Sequence, residues 1–135
     1  MSKKNLTKIR VIYADTDALG IVYHTNYIKW FEIGRGELLR ELGIPYSQIE
    51  NMGYNLPLTE VNCHYLYPAR YDQIVLIETQ IIFVKGASIK FRFLIWDEKQ
   101  EKTLVEGESV HACLNKQGKI VRIPREITEK IDPER

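Results

Sequence analysis

Residues 27–42 hold the chain's one long helical pattern, and its apolar side chains do not keep to a single stripe. Tyr27, Ile28, Trp30, Phe31, Ile33, Leu38, Leu39 and Leu42 spread over most of the circumference. Such a helix has to be enclosed by the rest of the fold. Gly43 is placed to end it in a left-handed turn, and Pro45 prevents its continuation. A short second helical turn is expected over residues 47–52, closing at Gly53.

Everything that could enclose the helix reads as strand. Upstream, residues 7–14 alternate, with Ile9 and Val11 on one face and Arg10 on the other. Downstream, strands are expected near 54–67, 73–84, 87–96, 103–115 and 119–122, joined by short turns. The clearest covers 89–95, where Ile89, Phe91, Phe93 and Ile95 share a face. Pro124 ends the last strand and leaves 125–135 as a polar helical tail or a frayed end. One strand, one buried helix and a run of hairpins predict an α+β fold, a curved antiparallel sheet wrapped around one long central helix. A single sheet cannot hide both faces, so a partner subunit is expected, most simply through a two-fold pairing of edge strands.

The 135 residues fit one domain, with a core over about 7–122. The hydrophobic fraction of 44% and charged fraction of 27% are those of an ordinary soluble globular protein. With 19 basic and 18 acidic residues, the net charge of +1 offers nothing to nucleic acid. No run of about 18 apolar residues could span a membrane, and the N-terminal residues lack the apolar stretch of a signal peptide. Cys63 and Cys113 lie far apart, outside any C-x-x-C pair. Reduced thiols packed in the core, in a cytoplasmic protein, are therefore expected.

Chemistry concentrates just ahead of the helix. The first strand pattern runs into Asp15 and Asp17, a glycine turn follows at Gly20, and the helix begins near His24. The first N–H groups of a helix lack intrahelical partners, and the dipole there amounts to roughly +0.5 charge. Such an end polarises a carbonyl oxygen, and a carboxylate beside it can attack or activate water. Asp17 is the leading carboxylate. Asp15 is expected to be mainly structural, since Asp in turns commonly bonds local backbone. His24 would act through its backbone N–H, which makes its side chain irrelevant to the role. Glu32, on the helix, is the second candidate carboxylate. His64 and His111 stand isolated within strands, so no metal site is expected. There is no G-x-S-x-G elbow, G-x-G-x-x-G turn or P-loop.

The run Tyr13-Ala-Asp15-Thr-Asp17-Ala-Leu-Gly20-Ile-Val-Tyr23-His24-Thr-Asn26-Tyr27, with Trp30-Phe31-Glu32 and Arg35 behind it, resembles a known signature. It is that of the hotdog-fold acyl-CoA thioesterases, in the 4-hydroxybenzoyl-CoA thioesterase branch and closest to its YbgC-like (Tol-Pal-associated) members. The resemblance implies a hotdog fold and hydrolysis of an acyl-CoA thioester. It implies Asp17 as nucleophile or general base, with the His24 N–H polarising the thioester carbonyl. Tyr23 and Tyr27 would line the acyl pocket, with Gly20 at the turn beside it. No cofactor is implied beyond the coenzyme A of the substrate, and no metal. The implied assembly is a homodimer built into a homotetramer, with active sites at the dimer interface. Two alternatives share the fold. One is a non-catalytic module that binds acyl-CoA or acyl carrier protein. The other is a hydratase or dehydratase, which would need a catalytic histidine with an acidic partner. Aliphatic and aromatic acyl groups both suit the aromatic helix.

Overall fold

Alternation along the strands decides which side chains turn inward, and register then stacks them across the sheet. In a computed structural model, which describes residues 3–132, strand β1 (Lys4–Arg10) precedes helix α1 (Asn26–Glu41) and the short helix α2 (Tyr46–Asn51). Strands β2 (Leu58–Tyr65), β3 (Ile74–Lys85), β4 (Ser88–Asp97) and β5 (Thr103–Ala112) follow, and helix α3 (Arg125–Ile131) closes the chain. The five strands form one antiparallel sheet in the order β1-β3-β4-β5-β2. Its register sets Ile77 opposite Ile95 and Phe93 opposite Gly107. All four are buried beneath α1. Phe31 of the helix stacks on Phe93, ring centroids 4.3 Å apart and planes 7° from parallel. This is the α+β arrangement, an antiparallel sheet laid against one long helix, that the strand and helix periods predict, and it is the hotdog fold that the resemblance implies.

Several expected boundaries move. The first strand stops at Arg10, and the backbone then coils into a single 3-10 turn over Tyr13–Asp15. Strand β2 begins only at Leu58. The strand expected over 119–122 reduces to an isolated bridge between Leu114 and Ile120.

Helix α1 is enclosed on one side rather than all round. Tyr27, Trp30, Phe31, Gly34, Leu38 and Leu39 are buried, while Lys29, Glu32, Ile33 and Arg40 face outward. One sheet has one concave face, and it covers only the half of the helix laid against it.

The C-terminal segment corrects a second expectation. Residues 125–131 are not a polar tail, because Ile127 and Ile131, four apart on α3, are buried and join the core. Fully burying an isoleucine side chain is favourable by about 1.5–3 kcal/mol. The core thus runs past 122, and α3 is held by packing that a polar tail would lack.

Candidate active site

The segment between β1 and α1 doubles back on itself. Thr16 and Val22 form a bridge, the Asp17 N–H donates to the Ile21 carbonyl at 2.9 Å, and the Gly20 N–H donates to the Asp17 carbonyl at 3.1 Å. Gly20 has φ +78°, a left-handed conformation open to glycine at no steric cost. The Asp17 carboxylate is exposed and accepts one bond through Oδ1, from the Leu19 N–H at 2.8 Å. The hairpin is fixed from the far side by the loop between β2 and β3. There the Val22 N–H donates to the Ala69 carbonyl at 2.9 Å, and the Tyr71 N–H to the Gly20 carbonyl at 3.1 Å.

Asp15, two residues before Asp17, is buried. Its Oδ1 receives the Lys29 ammonium at 2.9 Å and its Oδ2 the Ile12 N–H at 3.2 Å. Its carbonyl accepts from the Tyr23 N–H and from Asn26 Nδ2, both at 2.8 Å. The two aspartates therefore face different surroundings, one inside a local network and one in solvent.

Helix α1 starts at Asn26, two residues later than His24, with Thr25 at its N-cap. The His24 N–H donates to nothing among the described residues, whereas its carbonyl accepts from the Tyr65 hydroxyl at 3.1 Å. Tyr23 is half exposed, and its ring lies 4.5 Å from the His24 ring. Tyr27 is buried, and its hydroxyl accepts from the Ala69 N–H at 3.0 Å, so it braces the loop against which the hairpin rests. Burial is the main reason its phenol is harder to ionise than usual. Burial, with the adjacent Cys63 thiol, pushes the Tyr65 hydroxyl up to about 12, so it remains a donor across the physiological range. Near Asp17 in sequence, Leu19, Tyr13, Ile12 and Tyr23 are all substantially exposed, and Tyr71 meets Tyr13 edge-on at 5.8 Å. An exposed carboxylate, an unpartnered N–H at a helix entry and exposed apolar side chains thus occur within one short segment.

Glu32 lies elsewhere on α1, on the wall of a cavity of about 370 Å³ between the helix, β4, β5 and the segment after α2. Arg35, Leu39, Leu56, Phe91 and His111 line it too. His111 is thus not the isolated strand residue the sequence suggested. Its inward position follows from the period-2 face of β5 that runs through Val105, Gly107 and Ser109. Its Nδ1 lies 2.9 Å from the Leu56 carbonyl, which can only accept, so Nδ1 carries the hydrogen. Nε2 is left to accept from the Ser109 hydroxyl at 3.0 Å. Burial and the nearby Arg35 charge hold the imidazole neutral, with its pKa lowered to about 4. Ser109 is wholly buried and absent from the cavity wall. Ser109 therefore has no path to a substrate, and neither His111 ring nitrogen is free to act as acid or base. Among the described residues, no three His, Cys, Asp or Glu side chains are grouped to hold a metal ion.

Comparison with known proteins agrees with this architecture. The profile of the thioesterase-like superfamily matches residues 11–131. The acyl-CoA thioester hydrolase YbgC of Escherichia coli is 32% identical over 108 residues, which are 79% of each chain. The crystal structure of a hypothetical protein from Aquifex aeolicus has a TM-score of 0.89 at 32% identity, covering 94% of this chain and 98% of that one. The DHNA-CoA thioesterase of Staphylococcus aureus has a TM-score of 0.86 at 28% identity, covering 93% and 85%. With a profile that spans nearly its whole length, the chain belongs to the thioesterase-like superfamily and is a thioesterase of the hotdog fold.

Proposed function

We propose that the protein hydrolyses acyl-CoA thioesters, with Asp17 as nucleophile or general base and the His24 N–H polarising the thioester carbonyl. One observation carries the reading: an exposed carboxylate on a tight turn, and seven residues later an N–H that has no partner among the described residues at the entry to α1. As attack proceeds, negative charge grows on the carbonyl oxygen, and a positioned N–H stabilises it. As nucleophile, Asp17 bonds to the acyl carbon, coenzyme A leaves as thiolate, and water opens the mixed anhydride to regenerate the carboxylate. As general base, Asp17 takes a proton from water, the hydroxide adds to the carbon, and the departing thiolate is protonated. Neither route draws on a metal or a cofactor. Tyr23, Tyr27 and the turn at Gly20 would shape the acyl-binding surface.

The reading includes assembly and location. The β2 edge of the sheet and the exposed Leu58 and Tyr65 on it support edge pairing into a homodimer, and dimers into a homotetramer. Free thiols at Cys63 and Cys113 support a reducing, cytoplasmic setting.

Release of free coenzyme A, followed with a chromogenic disulfide across aliphatic and aromatic acyl-CoAs, tests the assignment. Turnover is expected on at least one substrate. It should fall about a hundredfold or more in Asp17→Asn, the scale of losing a main acid–base group. It should stay within about tenfold in Glu32→Gln, a residue given no proton to carry. Near-native turnover in Asp17→Asn would move the chemistry to Glu32, and silence on every substrate would favour the acyl-binding module.

A further inference from the structure

The cavity beside α1 has a feature the hydrolytic reading does not use. Arg35 lines it, half-buried, and among the described residues no hydrogen bond and no ion pair reaches its guanidinium. Arg40, one turn on, is instead tied to Glu37 at 2.5 Å. A guanidinium presents five N–H donors in a planar fork that matches a carboxylate edge on. Burial already weakens its hold on its proton, and the Glu32 charge and the Tyr46 side chain offset part of that loss. Around it, Leu39, Leu56 and Phe91 make apolar walls. His111 is closed as a partner, since both of its nitrogens are spent on Leu56 and Ser109. Glu32, the one carboxylate on the lining, is exposed, so solvent screens its repulsion. The volume of about 370 Å³ falls within the range of roughly 300–1,000 Å³ for small-molecule sites, which pair apolar walls with a few fixed polar groups.

We propose that this cavity binds a small organic carboxylate, its apolar body against Phe91, Leu39 and Leu56 and its charge on Arg35. A bare inorganic anion would leave the walls unused, and a neutral apolar ligand would leave the guanidinium unpaired. The proposal does not depend on Asp17 or on hydrolysis. Glu32 and Arg35 are six and nine residues beyond Asn26, or roughly 9 and 13 Å along the axis at about 1.5 Å per residue.

Benzoate and its uncharged isostere benzamide test it by calorimetric titration of the intact protein, with amide chemical shifts recorded alongside. Benzoate should bind at least about tenfold more tightly than benzamide, about 1.4 kcal/mol, with shifts centred on Phe91 and His111. Arg35→Met keeps an unbranched apolar stem and should bring benzoate down to the benzamide level. Arg35→Lys keeps the charge without the fork and should fall between. Equal binding of the two probes by the wild type would overturn the proposal without any variant. So would benzoate affinity untouched in Arg35→Met, or shifts confined to the Asp17 hairpin.

Discussion

Gly34 of α1 lies directly against Thr79 of β3: a Cβ on the glycine would overlap the threonine hydroxyl and stand 2.8 Å from Ile77 Cγ2. The helix meets the sheet here at a distance that only a residue without a side chain permits. Gly34→Ala should therefore cost about 1–3 kcal/mol, the scale of overpacking a core. The measurement is a lower urea midpoint with an unchanged slope. Gly36 is the control, because a Cβ there meets only the Arg40 guanidinium, at 3.6 Å. Gly36→Ala should be neutral or stabilising by up to about 1 kcal/mol, through helix propensity. Equal stability of the two alanine variants would mean that the helix can lift off β3 freely.

The Asp15 carboxylate, held by Lys29 and the Ile12 N–H, keeps the chain folded ahead of the Asp17 hairpin. Asp15→Ala takes its acceptor from the part-buried Ile12 N–H and its partner from Lys29, a loss of about 0.5–1.5 kcal/mol for the hydrogen bond. Stability should fall by that amount, and turnover should fall less than in Asp17→Asn. Unfolding curves and initial rates on the same preparations separate the two effects. Undiminished stability with turnover abolished would make Asp15 a chemical group instead.

Much of this was written in the sequence. A period of two put Ile89, Phe91, Phe93 and Ile95 on one face, and all four are buried. The Asp15–Gly20 spacing predicted a turn, and the different surroundings of the two aspartates followed from their places in it. What escaped depends on register and approach. His111 reads as a lone strand histidine until pairing with β4 sets it opposite Ile89, its ring 5.4 Å from Phe91 and edge-on. Gly34 carries no local signal, since the need for it arises from a strand more than forty residues downstream. Ile127 and Ile131 did carry one, an i,i+4 apolar pair, but the surrounding charges concealed it.

His111 makes stability depend on pH. Its folded pKa is lowered from 6.5 to about 4, first by burial and then by the Arg35 charge. Between those values the unfolded chain holds a proton that the folded chain does not. Stability should thus be complete above about pH 6.5, decline as the pH falls toward 4, and gain no further loss from this group below that. The loss is at most about 3 kcal/mol, at about 1.4 kcal/mol for each pH unit. Urea unfolding at pH 5 and pH 7.5 checks it. His111→Gln, uncharged at both, should show a smaller difference between them, and an unchanged difference would place the pH dependence elsewhere.

The role given to the His24 N–H separates backbone from side chain. His24→Ala removes the imidazole, which contacts the Tyr23 and Tyr65 rings, and leaves the N–H in place. Turnover should stay within about tenfold of wild type, well short of the loss of one oxyanion donor. His24→Pro removes the donor itself. Among the described residues that N–H has no partner to lose, and the position lies ahead of the N-cap Thr25, outside the helical hydrogen bonds. Its turnover should fall by roughly 10²–10³, the cost of one oxyanion donor. The unfolding midpoints of both variants, measured alongside the rates, show whether the loss reflects chemistry or folding. A proline variant that stays folded and turns over like alanine would remove the His24 N–H from the mechanism.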